Sequence, residues 1–108
     1  MQKIMYAGDE YLTGDAIAEA LLAYSRALGD DERAEIVDIP VREDDGTVVR
    51  AKFLIGPASQ LVVKGVPGVG PELEDAELVE RLRQLTRGTE APTGVQLELP
   101  VQVADDLD

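Results

Sequence analysis

Two stretches of alternating side chains meet at Asp44-Asp45-Gly46, and few folds are open to a chain that carries them. Val37, Ile39 and Val41 alternate with Asp38 and Pro40, while Val49, Ala51, Phe53 and Ile55 alternate with Val48, Arg50, Lys52 and Leu54. A period of two belongs to a strand with one face on a core. Parity then sets the loop, because a slip of one residue turns every side chain to the other face. A two-residue turn at Asp45-Gly46 would set Val41 against Arg50 and mix the faces. A three-residue loop, Asp44 to Gly46, pairs Val41 with Val49, Ile39 with Ala51 and Val37 with Phe53, with Asp38 facing Lys52. Gly46 becomes the left-handed residue of a bulge.

The flanking segments change period. Leu12, Ala16, Ile17, Ala20, Leu21, Tyr24, Ala27 and Leu28 recur at three- and four-residue steps, which predicts an amphipathic helix over 14–28. Thr13 is its expected N-cap, Asp15 suits the positive end of its dipole, and Gly29 is the expected left-handed C′ residue. A second helix starts at Asp75 and stops at Gly88, with Leu78, Val79, Leu82 and Leu85 as its buried stripe and Glu77 reaching Arg81 at i,i+4. Gln2 to Tyr6 reads as a short first strand. After a turn at 56–59, residues 60–66 read as a strand continuing the meander. The segment 65–71 is a Gly/Pro-rich link, with Pro67-Gly68 as the centre of a type II turn, and 89–94 is a second linker. Val95, Leu97, Leu99, Val101 and Val103 alternate with Gln96, Glu98, Pro100 and Gln102, and Pro100 confines that strand to an edge or a bulge.

The order β-α-β-β-β-α-β predicts an α+β fold: a largely antiparallel four- to five-stranded sheet with two helices on one face, related to the ferredoxin-like split βαβ order. Residues 1–103 form the expected single domain and 104–108 an acidic tail. The 108 residues suit one core, built from aliphatic side chains because Tyr6, Tyr11, Tyr24 and Phe53 are the only aromatics.

Composition removes whole classes of chemistry. Neither cysteine nor histidine occurs, so there is no disulfide, thiolate or imidazole for nucleophilic catalysis, proton shuttling or transition-metal binding. Neither a catalytic residue nor a cofactor or metal is expected. Ser59 lacks the glycines of a nucleophile elbow, and a partnership with Lys52 or Lys64 as base is not implied by any spacing, so it reads as a turn residue. The glycines of 65–70 fit no phosphate-binding pattern, and Glu72, Glu74 and Asp75 crowd the helix start that an anion would need. The acid pairs Asp30-Asp31, Asp44-Asp45 and Asp105-Asp106 lack the spacing of a calcium loop and read as solvated turns.

The net charge of −12 repels nucleic acid and anionic membranes, and ten acids against three bases lie in residues 72–108. The N-terminus shows no basic and apolar leader pattern, which points to the cytoplasm. The expected function is that of a non-enzymatic acidic interaction or self-assembly domain. Its partner would be another protein or a second copy of itself, met through a sheet edge formed by Val95, Leu97, Leu99, Pro100, Val101 and Val103. Two alternatives stand beside it. One is a nucleic-acid mimic, with Glu72, Glu74, Asp75, Glu77, Glu80 and the final acids of the chain imitating phosphates for a basic protein, although Arg81, Arg83 and Arg87 interrupt the helical ones. The other is a small metal-independent enzyme.

Overall fold

A computed structural model describes residues 1–67 and 70–90. Its elements are β1 (Gln2–Tyr6), β2 (Asp9–Thr13), α1 (Asp15–Asp30), β3 (Glu35–Arg42), β4 (Val48–Ile55), β5 (Leu61–Gly65) and α2 (Ala76–Glu90). The fold is α+β, a five-stranded antiparallel sheet in the order β4-β3-β2-β1-β5 with both helices packed on one core.

The β3–β4 hairpin has the register that parity requires, with Val41 opposite Val49, Ile39 opposite Ala51, Val37 opposite Phe53 and Asp38 opposite Lys52. Gly46 takes φ +90°, and the loop closes by Gly46 N–H to Glu43 O at 2.9 Å and Glu43 N–H to Thr47 O at 2.8 Å. This last bond fixes the backbone phase: odd residues of β3 exchange hydrogen bonds with β4, and even ones point away from it. Pro40 is even, so its missing N–H subtracts nothing from the hairpin.

Strand β2 departs from the sequence reading. Ala7 and Gly8 have φ 54° and 86°, the pair of positive values that a two-residue I′ turn requires, and the chain doubles back at once. Leu12, assigned by periodicity to the helical stripe, lies in β2 opposite Arg42. Thr13 is not an N-cap either. It is fully buried, and its hydroxyl donates to Pro40 O at 2.8 Å, serving a carbonyl that β2 leaves unpaired as the chain turns into α1. Gly14 is the N-cap, and a Cβ there would sit 1.7 Å from Leu73 O, so the approach to α2 admits no side chain.

At its other end α1 runs on to Asp30, and Glu32, not Gly29, takes the left-handed position at φ 55°. Arg33 N–H reaches Leu28 O at 2.9 Å and Glu32 N–H reaches Gly29 O at 3.2 Å, the paired bonds of a Schellman cap. Helix α2 starts as expected, with Leu78 N–H donating to Asp75 Oδ1 at 3.1 Å. It passes through Gly88 to Glu90; Leu78, Val79 and Leu82 are buried, Leu85 is 43% exposed, and the basic partner of an acid on this helix is Arg87 with Glu80 at 3.3 Å, not Arg81 with Glu77.

Strand β5 does not extend the meander. It pairs with β1, Tyr6 opposite Leu61 through Gln2 opposite Gly65. The five residues between β4 and β5 suffice because the sheet curls. β2 meets β3 at the single position Leu12–Arg42, and the Tyr6 hydroxyl at the far end of β1 bonds back to Leu54 O on β4. Inside the curl, Phe53 lies edge-on to Tyr11 with centroids 4.9 Å apart and 5.6 Å from Tyr6, contacts worth about 0.5–1.5 kcal/mol each beyond the area they bury. Ile4, Ile17, Leu21, Leu28, Ile39, Ile55 and Leu82 are the other large, most fully buried members of the core.

Candidate functional site

The expected interface residues Val95, Leu97, Leu99, Pro100, Val101 and Val103 lie outside the described residues, as do the acidic tail and the Gly68 half of the Pro67-Gly68 turn. What the described residues do contain is the set of sheet edges against which such a strand could lie, and the edges differ in chemistry.

Val66 N–H donates to Met1 O at 3.1 Å, which fixes the phase of the β1–β5 ladder. Even residues of β5 bond to β1, and the N–H and C=O groups of Leu61, Val63 and Gly65 point to the outer side. Among the described residues no strand pairs with that side. The side chains of Leu61 and Val63 are half-buried, and opposite them α1 presents Leu22, 41% exposed, and Ala23. Between helix and strand runs a groove of about 760 Å³, with Gln2 and Glu19 at one end and Gly29 and Pro57 at the other. Open main-chain groups and an apolar trough therefore lie side by side, the combination that strand addition uses.

The other edges are occupied or blunted. On β3, Asp38 O accepts Arg50 Nη2 at 3.2 Å and Pro40 O accepts the Thr13 hydroxyl, so side chains take up two of the carbonyls that β2 leaves. On β4, the open groups belong to Val48, Arg50 and Lys52, whose side chains face outward; Arg50 and Lys52 bond Asp38 at 3.0 and 3.3 Å. Charges on an edge discourage pairing. A further groove of about 830 Å³ lies between the β1–β2 turn and the β4–β5 connection, lined by Met5, Tyr6, Leu54, Pro57, Ser59 and Val62. Two of its hydroxyls are already bonded. The Tyr6 hydroxyl is bonded to Leu54 O, and Ser59 Oγ accepts Gly56 N–H at 2.9 Å, the local bond of a turn residue.

Among the described residues no three carboxylates converge as a metal site, and no helix is long and apolar enough to cross a membrane. Two acids of the α2 approach, Glu72 and Asp75, serve the fold. Glu72 accepts the Met1 ammonium at 2.9 Å and the Asp15 backbone N–H, which anchors the chain start to the start of α1. The ammonium, then the Asp15 amide, hold the Glu72 carboxyl below its ordinary range, while Glu72 and Asp15 raise the ammonium.

Sequence reasoning placed the contact surface on an edge but missed the β5–α1 groove, because it joined β5 to β4. Leu22 carried a faint signal: it is an apolar residue of α1 that falls outside the stripe recurring from Ala16 to Leu28. The chain matches no known protein family, no characterised protein and no solved structure.

Proposed function

We propose that this chain is a non-catalytic, cytoplasmic self-assembly domain whose contact surface is the outer edge of β5 together with the face of α1 beside it. The observation that carries the reading is the open backbone of Leu61, Val63 and Gly65 beside the trough of Leu22, Ala23, Leu61 and Val63. Main-chain groups facing such a trough are costly to leave half-desolvated, and a strand laid in it would satisfy them while burying the apolar side chains. A composition without imidazole or thiol agrees with a binding role.

The test is the mass of the full chain in solution across concentration, by light scattering or sedimentation. The wild type is expected to rise above 11.6 kDa to a multiple of it. Leu22→Lys, a change at an exposed position that leaves the circular dichroism spectrum intact, is expected to hold the chain at the single-copy mass. A wild type that stays at one copy up to millimolar concentration overturns the reading.

A further inference from the structure

Resting on that reading of the β5 edge, we infer that its occupant is residues 95–103 of a second copy of this chain, running antiparallel to β5 with Leu97 opposite Gly65, Leu99 opposite Val63 and Val101 opposite Leu61.

Proline decides the edge. In an antiparallel ladder directly opposed residues exchange both hydrogen bonds and project to the same face. The open groups of β5 belong to the residues whose side chains line the groove, so a guest strand bonds through its own groove-facing residues, Leu97, Leu99 and Val101. Pro100 falls between them, at a position whose N–H would point to solvent, and its lack of one costs no bond. On β4 the phase is reversed. A guest with its apolar face continuing that of Val49 and Ala51 would bond through Gln96, Glu98, Pro100 and Gln102, and would lose a bond at the proline. A parallel guest on β5 bonds through the residues flanking each opposed one, and again meets Pro100.

Charge decides the register. Glu98 is the single acid in 95–103 and Lys64 the single base in β5, and this pairing sets them across from each other on the outer face. The same register lays the Pro100 ring against Val62, which is 54% exposed.

Direction decides between the chain and its neighbour. Leu73 lies against Gly14 at the start of α1, and Leu85 shares a groove with Tyr24 further along, so α2 runs beside α1 in the same sense and ends near the C-terminus of α1. β5 starts at that end, where Pro57 meets Gly29, and finishes near Gln2 and Glu19. An antiparallel guest must enter at the Glu19 end. To fill its own groove, the chain from Glu90, which starts beside α1, would have to return past ten residues of α1, about 15 Å, and also pass around that helix, about 10 Å wide. The six residues 91–96 reach about 20–22 Å when fully extended and leave almost no slack for a path around the helix. A second copy supplies the strand without the detour, and a two-fold exchange fills both grooves.

The full chain offers a clean test because it has no cysteine. Val62 and Pro100 form a non-hydrogen-bonded pair in this register, with Cα atoms about 4.5 Å apart, a separation a disulfide spans. Oxidised Val62→Cys/Pro100→Cys is expected to run at twice the chain mass under denaturing, non-reducing conditions. A disulfide closed within one chain, or none, overturns the inference. Leu99→Pro is expected to weaken association about tenfold or more, through a lost ladder bond, while Glu98→Pro, with its N–H facing solvent, retains far more of it. If both prolines are without effect while Leu22→Lys still gives single copies, the β5 edge is the contact surface but 95–103 is not its occupant. If the wild type never associates, the reading of the edge itself falls.

Discussion

The two rims of the sheet are built from the same kind of strand and differ in the chemistry they present. On β4 the unpaired backbone groups belong to residues whose side chains turn outward, Arg50 and Lys52 among them, and the inner-face residues Phe53 and Ile55 are already 2% and 0% exposed. On β5 the unpaired groups belong to Leu61 and Val63, which look inward to a trough that the described residues leave unfilled. The difference is one of phase alone. Whether a strand bonds to its neighbour through its inward or its outward residues decides whether its far rim is joined to an apolar surface or to a charged one.

The largest effect that could break this comparison is on the finished rim. Phe53→Ala removes the ring that Tyr6 and Tyr11 pack against, and should cost about 3–5 kcal/mol in denaturant unfolding. Val63→Ala, half-buried at the open rim, should cost far less in dilute solution. Equal losses would mean that the β5 side is as closed as the β4 side.

Backbone phase gives the next effect. Lys64→Pro removes an N–H that bonds to β1 and should destabilise the fold by about 1–3 kcal/mol. Val63→Pro removes one that points outward and should spare the fold by comparison while abolishing association. Thermal melts at low concentration, alongside solution mass, separate the two; a reversed ranking would overturn the phase assigned to β5.

Much of this was legible before any coordinates. The β3–β4 register followed from the alternation around Asp44-Asp45-Gly46, since only a three-residue loop keeps Arg50 off the core face. β2 was not legible, for a local reason: its turn is Ala7-Gly8, and an alanine at positive φ gives none of the Asn-Gly or Asp-Gly signal by which such hairpins are found. With that turn hidden, Leu12 and Thr13 were absorbed into the helix that follows. The partner of β5 was hidden for a different reason. Adjacency in sequence favours β4, and only the curl closed by Tyr6 on Leu54 brings β5 beside β1 instead. The groove depends on that non-local pairing, so no inspection of residues 56–66 by themselves could have found it.

The smallest expected effect concerns pH and belongs to the β5 side. Glu72 holds the Met1 ammonium, and Met1 O holds Val66 at the end of β5. The Glu72 carboxyl is depressed below its reference value of 4.5 in the fold, so its contribution is complete above that value and is lost as pH falls through it and below. The Met1 ammonium is raised above its reference of 8.0, so its contribution is complete below pH 8.0 and is lost as pH rises beyond. The melting temperature should therefore sag at both extremes, and Glu72→Gln should melt lower at neutral pH with a shallower acid limb. An unchanged acid limb in that variant would show that the clamp does not steady the β5 end.

The 1.7 Å that separates a would-be Cβ on Gly14 from Leu73 O also bears on the order in which the molecule is made. During synthesis, β1, β2 and α1 emerge first, but β1 lacks its second neighbour until residues 61–65 exist, and α1 lacks its seat until residue 73 is in place. Closing contacts between such distant positions costs loop entropy before any of it is recovered, a cost that slows folding. The opening segment of the chain is thus held in waiting by the closing one, and its strand is among the last parts of the sheet to be completed.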